Sequence, residues 1–483
     1  MTDAFHAWTA IETAKKIKDR VVSPVEVMAS LLDRAALLDP AYASLQALDV
    51  ETAMNAARRA EARLTSGAPV GPLHGVPVSV KDLLATADLP TRRGSRLVPE
   101  GTRLPDAPGV RLLRRSGALV FAKTTTSEFG HKATTDSLVS APTRNPWDRS
   151  RTAGGSSGGA GAAVALGLGP LAVATDGGGS IRIPASFCGV LGVKPTSGTV
   201  PTFPPSRLGV LGHIGVLSRD VRDAALALSL LAGRHEAGSD AGWEPEPLTR
   251  AERRRVRVGL YRTVDGTSVD PDVERVLGEF VRDMRSIGLQ VSEAPIDLPD
   301  AGPVWDALFM SAMAEEFATF DERAADVSSS LLDTIRAWRQ APPGAGEEAE
   351  TRRAVLRHTV AGLFSHFDVL VGPTLPVTAF PIGQQAPVRA DGLRDDLTSW
   401  WRNTQLWNLT GMPAVSLPGG FDRRGLPVGI QITARSGQDH LVLRVCRTLE
   451  AEGRTALAAS PQAALRGRLA EVGRPGRGDR ATA

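Results

Sequence analysis

The sequence predicts a mixed α/β fold built on one large sheet, with helices covering both faces. Two observations predict it. Short apolar runs of strand length recur along the chain with helical patterns between them, the alternation expected of a sheet covered on both sides. Of the 483 residues, 42% are hydrophobic and 23% charged, enough apolar material for a sizeable core. There is no internal repeat.

"SPVEVMASLLDRAALLD" opens a helix at Ser23. Ser23 caps, Pro24 takes the first helical position, and Glu26 completes a capping box three residues after the cap. A second helix covers about 51–65 and stops near Gly67. "GVPVSVKDLL" (75–84) alternates apolar and polar residues as a strand does, and "GALVFAKTT" (117–125) reads as a short buried strand. From 154 to 199 Gly, Ala and Ser dominate. The uncharged run 158–175 approaches the length of a membrane span, but its Gly/Ala content and its proline favour a buried helix followed by a buried strand. "VRVGLYR", "LQVSEAP" and "FDVLVGPT" are strands separated by helices, "QAPPGAGEEAE" (340–350) is a turn between helices, and "HEAGSDAGWEPEPL" is a surface loop. From Arg466 onward large apolar residues almost vanish, and a mobile tail is expected there.

Composition excludes several classes. The formal charge is only +3, and the densest basic run, at Arg253, leads into the alternating Val256, Val258 and Leu260, so a nucleic-acid surface is not expected. Two cysteines, Cys188 and Cys446, without CxxC or Cys/His spacing, argue against a disulfide framework and against a metal site. The N-terminal residues lack the apolar stretch of a signal peptide. A cytoplasmic protein without membrane contact is the expectation.

Several catalytic motifs fail on context. "GGSSG" (154–158) has the form of a nucleophile elbow, but "TRNPWDRSRTA" before it is no hydrophobic strand. "GLGPLA" (167–172) contains a proline and opens no helix, which excludes a dinucleotide fingerprint. None of the eight histidines sits in a recognisable motif. Lysine usage says more. The chain holds 7 lysines against 49 arginines, and beyond the N-terminal "KKIKD" only Lys81, Lys123, Lys132 and Lys194 remain. Arginine cannot deprotonate in a protein, whereas a desolvated lysine can become a neutral base. Lys81 lies in or just after an apolar strand, where burial lowers its pKa from about 10.4. The residues alone equally allow a structural pairing of Lys81 with Asp82.

"GVPVSVKDLL", followed by "GGSSGGAGAAVALGLGPLAVATDGGGSIRIPASFCGVLGVKPT", resembles the amidase signature family. "TTTSEFG" (124–130), "TRNPWD" (143–148), "FDVLVGPTLP" (367–376) and "NLTGMPAVSLPGGFDRRGLPVGIQI" (408–432) extend the resemblance over roughly 20–450. It implies a Ser-cisSer-Lys triad with Ser180 as nucleophile, Ser156 as bridging serine after a cis bond to Gly155, and Lys81 as base. It also implies an oxyanion hole at Gly177, Gly178, Gly179 and Ser180, where amides freed by glycine meet the charge that develops on the substrate oxygen. Gly155, Ser157, Asp176 and Arg182 support these groups, the last two as a pair that holds the loop. Cys188 is expected to be a buried small hydrophobe. Neither cofactor nor metal is implied. One catalytic domain is expected over 1–465: N-terminal helices (1–66), a catalytic core (67–235), a variable pocket region (236–400) and a C-terminal part of the core (401–465), followed by the tail 466–483.

The glutaminase component of glutamyl-tRNA amidotransferase shares this signature. It usually carries an acid seven residues before the Asn of its "NLAG" segment, where Trp401 stands here, and its polar substrate segment is replaced by "WDALFMSAMAEEFATFDERAAD" (305–326). The expected activity is therefore a stand-alone amidohydrolase, monomeric or homodimeric. It acts with water on small uncharged amides of hydrophobic or aryl type, with carbamates, urethanes and esters open. Phe129, Gly130, Thr152, Gly154, Met310, Met313 and Trp401 are the candidate pocket residues, although large apolar residues, Trp400 and Trp407 among them, are more often core. The glutamine-hydrolysing amidotransferase component and a non-catalytic binding module are the alternatives.

Overall fold

In the computed structural model, residues 5–202, 208–233, 244–298, 301–316, 320–388 and 398–457 are described. The tail 466–483 and most of the loop that begins at 235 lie outside them. In chain order the strands are β1 (Leu45–Leu48), β2 (Pro77–Lys81), β3 (Leu119–Thr124), β4 (Leu171–Asp176), β5 (Leu191–Lys194), β6 (His213–Ser218), β7 (Arg257–Leu260), β8 (Gln290–Glu293), β9 (Val369–Pro373), β10 (Ala414–Phe421) and β11 (Pro427–Ala434). They form one sheet in the order β1-β3-β2-β4-β6-β5-β10-β11-β9-β7-β8. β2 runs parallel to β3 and β4, and β7 parallel to β8 and β9, while the remaining neighbours are antiparallel. The sheet is mixed, as expected.

The local signals act as read. Ser23 accepts from the Glu26 N–H, Glu26 reaches back to the Ser23 N–H, and the helix Pro24–Tyr42 follows. The uncharged run 158–175 splits into the wholly buried helix Gly158–Ala165 and β4. Helices Ser329–Arg339 and Ala345–Leu363 flank a turn that is shorter than the expected 340–350, since 345–350 already belong to the second helix. The strand expected within 75–84 is β2, and all five of its residues are buried, Ser79 and Lys81 included. A parallel strand inside a sheet covered on both faces has no solvent side, so its polar residues are buried too.

The main apolar core packs against the sheet, with Val78, Val80, Val173 and Val216 meeting helical residues such as Leu228, Phe280 and Val445. Each such buried side chain contributes about 1.5–3 kcal/mol relative to exposure. A second cluster gathers Ile183, Phe187, Trp305, Phe309, Met313, Trp400, Trp401 and Trp407. It borders the glycine loop after β4. Among the described residues no helix is long and apolar enough to cross a membrane.

Candidate active site

β2 and β4 are parallel neighbours, paired at Val78 with Leu171 and at Val80 with Val173. Their C-terminal ends therefore emerge together. Lys81 closes β2, Thr175 and Asp176 close β4, and the glycine loop follows. Ligands of α/β sheets bind at such carboxyl ends.

Lys81 is fully buried. Its Nζ lies in hydrogen-bond contact with Ser156 Oγ at 2.7 Å and Thr175 Oγ1 at 3.0 Å. Burial pushes the amine down to about 7, against the opposing pull of the Asp176 carboxylate. The pairing of Lys81 with Asp82 is not formed. Asp82 instead faces Lys123 at 3.6 Å, and its carboxylate accepts the Arg92 and Gly94 amides. Lys123 and Lys194 are also buried but bind carbonyls: Leu84 O for Lys123, Pro195 O and Met412 O for Lys194. Of these three lysines, Lys81 alone faces the serines.

The Gly155–Ser156 peptide is cis. Glycine at 155 is a steric requirement, since a Cβ there would lie 2.6–2.7 Å from main-chain atoms of Thr134. Thr135 Oγ1 donates to Ser156 O at 3.2 Å and accepts from the Gly158 N–H at 2.9 Å. The Ser157 hydroxyl donates to Thr175 O at 3.2 Å, and its N–H donates to Ser180 O at 3.2 Å, drawing the two serine segments together. Among the described residues the Ser180 hydroxyl makes no hydrogen bond to Ser156, so only the first link of the expected relay is closed. Contacts of this kind are often long until substrate enters.

Asp176 and Arg182 pair as expected, both buried, through Nε to Oδ2 and Nη2 to Oδ1, each at 3.0 Å. Burial pushes the Asp176 carboxyl up, but the Arg182 guanidinium, with Lys194 and Asn408, outweighs this and holds it well below the usual carboxylate range. Arg182 also donates to Thr404 O, Gln431 Oε1 and Asn408 Oδ1. Asp176 accepts the Gly179 N–H at 2.7 Å and the Ile181 N–H at 3.2 Å. Of the four amides expected to form the oxyanion hole, that of Gly179 is therefore already engaged by this carboxylate. The amides of Gly177, Gly178 and Ser180 have no main-chain partner among the described residues. The loop carbonyls are tied elsewhere. Trp305 Nε1 donates to Gly177 O at 2.9 Å, Thr404 Oγ1 to Gly178 O at 2.6 Å, and the Ile183 N–H to Gly179 O at 2.7 Å.

The pocket candidates separate into groups. Phe129 has a left-handed φ of 49° and Gly130 one of 75°; this strap passes beside Ser156, and a Cβ on Gly130 would lie 3.2 Å from Ser156 Oγ. Trp401 is buried and meets Trp305 edge to face at 4.8 Å. Met313 is buried in the same apolar cluster, and Met310 is half-buried. Thr152 and Gly154 belong to the buried scaffold: Thr152 N–H donates to Phe380 O, and its hydroxyl accepts the Gly154 N–H. Cys188 is fully buried, as expected. Sequence reading misses Thr175, Trp305, Thr404, Asn408 and Gln431. Thr175, a polar residue closing the apolar run of β4, carries a local signal, whereas the others reach the loop from distant segments.

The Amidase family model matches residues 26–443. The chain belongs to the amidase signature family. It is 34% identical over 462 residues to an acylamidase of Rhodococcus erythropolis, covering 92% of this chain and 95% of that one. It is 36% identical over 489 residues to the A-type component of the glutamyl-tRNA(Gln) amidotransferase of Acidothermus cellulolyticus, covering 92% and 94%. A bacterial aryl acylamidase of the same family superposes with a TM-score of 0.85 at 26% identity over 98% of this chain and 99% of that one. The chain is thus an amidase, a hydrolase of carbon–nitrogen bonds.

Proposed function

We propose that this amidase hydrolyses small uncharged amides of hydrophobic or aryl type through an acyl-enzyme, with Ser180 as nucleophile, Ser156 as proton relay and Lys81 as base. The observation that carries the reading is the buried Lys81 amine, brought down to about 7 and 2.7 Å from Ser156 Oγ. Neutral Lys81 accepts the Ser156 proton while Ser156 accepts that of Ser180. Ser180 Oγ bonds to the carbonyl carbon, and the oxygen takes negative charge facing amides drawn from Gly177, Gly178 and Ser180. Collapse breaks the carbon–nitrogen bond, and the relayed proton leaves with the amine. Water then attacks the acyl ester by the reverse proton path and releases the acid.

The substrate class rests on Trp401. The position is apolar and buried against Trp305, so it offers no acid to hold a substrate ammonium. The similarity to acylamidases agrees with this, and carbamates, urethanes and esters suit the same acyl transfer. The 36% identity to an amidotransferase component favours a second reading, a glutaminase working with partner proteins. A hydrolysis panel separates the two: glutamine, an aliphatic amide, 4-nitroacetanilide and an aryl carbamate, with Ser180→Ala as control. Turnover of the aryl substrates without glutamine is expected. Turnover of glutamine alone overturns the substrate assignment.

A further inference from the structure

We infer that Trp305 is a positioning residue for the oxyanion loop: its indole N–H fixes the Gly177 carbonyl and thereby aims the Gly178 amide. The inference rests on the reading of Ser180 as nucleophile and goes beyond it, because Trp305 is contributed by the variable region and lies 128 residues from the carbonyl it binds.

Trp305 sits in the helix Ala301–Glu316 and is 2% exposed. Its Nε1 donates to Gly177 O at 2.9 Å. In a trans peptide the carbonyl and the following N–H point in opposite directions. Holding the Gly177 carbonyl toward Trp305 therefore turns the Gly178 N–H to the face away from the indole. The ring is fixed in turn. It stacks on Phe309 at 4.6 Å with an interplanar angle of 14°, and meets Trp401 edge to face at 4.8 Å. Contact with the loop is close enough to require glycine: a Cβ on residue 178 would lie 2.6 Å from Trp305 Cζ2 and 2.7 Å from Trp401 Cζ3. Thr404 holds the next carbonyl, that of Gly178, at 2.6 Å, and Asp176 holds the Gly179 amide at 2.7 Å. The Gly177 and Gly178 carbonyls and the Gly179 amide thus have fixed partners, while the Gly178 N–H has none in the main chain among the described residues. The Gly177 carbonyl has no side-chain donor besides Trp305 among the described residues, so that N–H is what sets the first peptide plane of the loop.

The role predicts a transition-state effect. Direct loss of one oxyanion donor lowers kcat by about 10²–10³-fold. Trp305→Phe keeps an aromatic ring and leaves the amide in place but unaimed, so a smaller fall, about 10–30-fold in kcat on 4-nitroacetanilide with KM within about twofold, is expected. Affinity for phenylboronic acid, whose tetrahedral serine adduct carries the developing charge, falls by a similar factor. Replacing Trp305 by benzothienylalanine, which keeps the bicyclic shape without the N–H, gives the same loss. Phe309→Leu loosens the stacking but retains the N–H, and its kcat stays within about threefold of wild type. A Trp305→Phe or benzothienylalanine enzyme with wild-type kcat and boronate affinity overturns the inference. So does a Phe309→Leu enzyme as slow as Trp305→Phe, since packing would then set the rate. Turnover or boronate capture by Ser180→Ala would remove the nucleophile assignment, and this inference with it.

Discussion

The proposed base can be tested by titration. Lys81 must be neutral to accept a proton, and burial brings it to about 7, so acid silences the enzyme and base activates it. One pH unit below that value about a tenth of the amine is neutral, and one unit above it about nine-tenths. Over those two units kcat/KM therefore rises roughly tenfold and then levels off. The free enzyme reports this constant, so kcat/KM at constant ionic strength is the quantity to measure, from 4-nitroaniline released by 4-nitroacetanilide. Lys81→Arg supplies the contrast. A guanidinium does not deprotonate in this range, so the variant loses about 10²–10⁴-fold in rate and has no rising limb. A flat wild-type profile, or the same inflection in Lys81→Arg, would refute the assignment.

Three further expectations concern stability. Arg182→Met strands the buried Asp176 carboxylate and should cost about 3–5 kcal/mol, read as a lower urea midpoint; an unchanged midpoint contradicts the pairing argument. Gly155→Ala pushes a Cβ to within 2.6–2.7 Å of the Thr134 main chain, which cannot swing aside, so a loss of about 1–3 kcal/mol or more is expected in the same assay. Asp223 is raised from 3.8 to about 7 by burial and by Asp220, while its carboxylate accepts the Ala10 and Ile11 amides at the start of the helix Ala10–Lys18. Its folded-state pKa is raised, so the stability it contributes is full below 3.8 and is lost as pH rises through about 7. Asp223→Asn should flatten that decline in thermal melts, and an unaltered slope would exclude Asp223 as its source.

How much of this is legible depends on sequence distance. The serine and glycine segments, the cis bond after Gly155 and the pair Asp176–Arg182 all fall within 154–194, where restrictive residue types leave a dense local record. Lys81 stands out because arginine replaces lysine almost everywhere else. What sequence does not give is direction. Gly179 looks equivalent to its neighbours, but Asp176, three residues before it, turns its amide inward. The alternation in β2 marks a strand but not which side its polar residues meet; both faces are covered, so Ser79 and Lys81 are buried. Trp305, Thr404 and Asn408 look like ordinary members of helical segments, since nothing nearby in the sequence shows that they close on a loop more than a hundred residues away.

The knot around Arg182 also bears on biosynthesis. Its guanidinium is tied to Asn408 and Gln431, the latter 249 residues further along the chain. Domains form as the chain leaves the ribosome, but contacts of this span wait for the distal partner. The glycine loop therefore cannot be locked until β11 has been made. A product ending near residue 400 would lack Thr404, Asn408 and Gln431, and with them three of the groups that accept from Arg182. The cluster that fixes the loop after β4 is thus among the last parts of the molecule whose partners all exist.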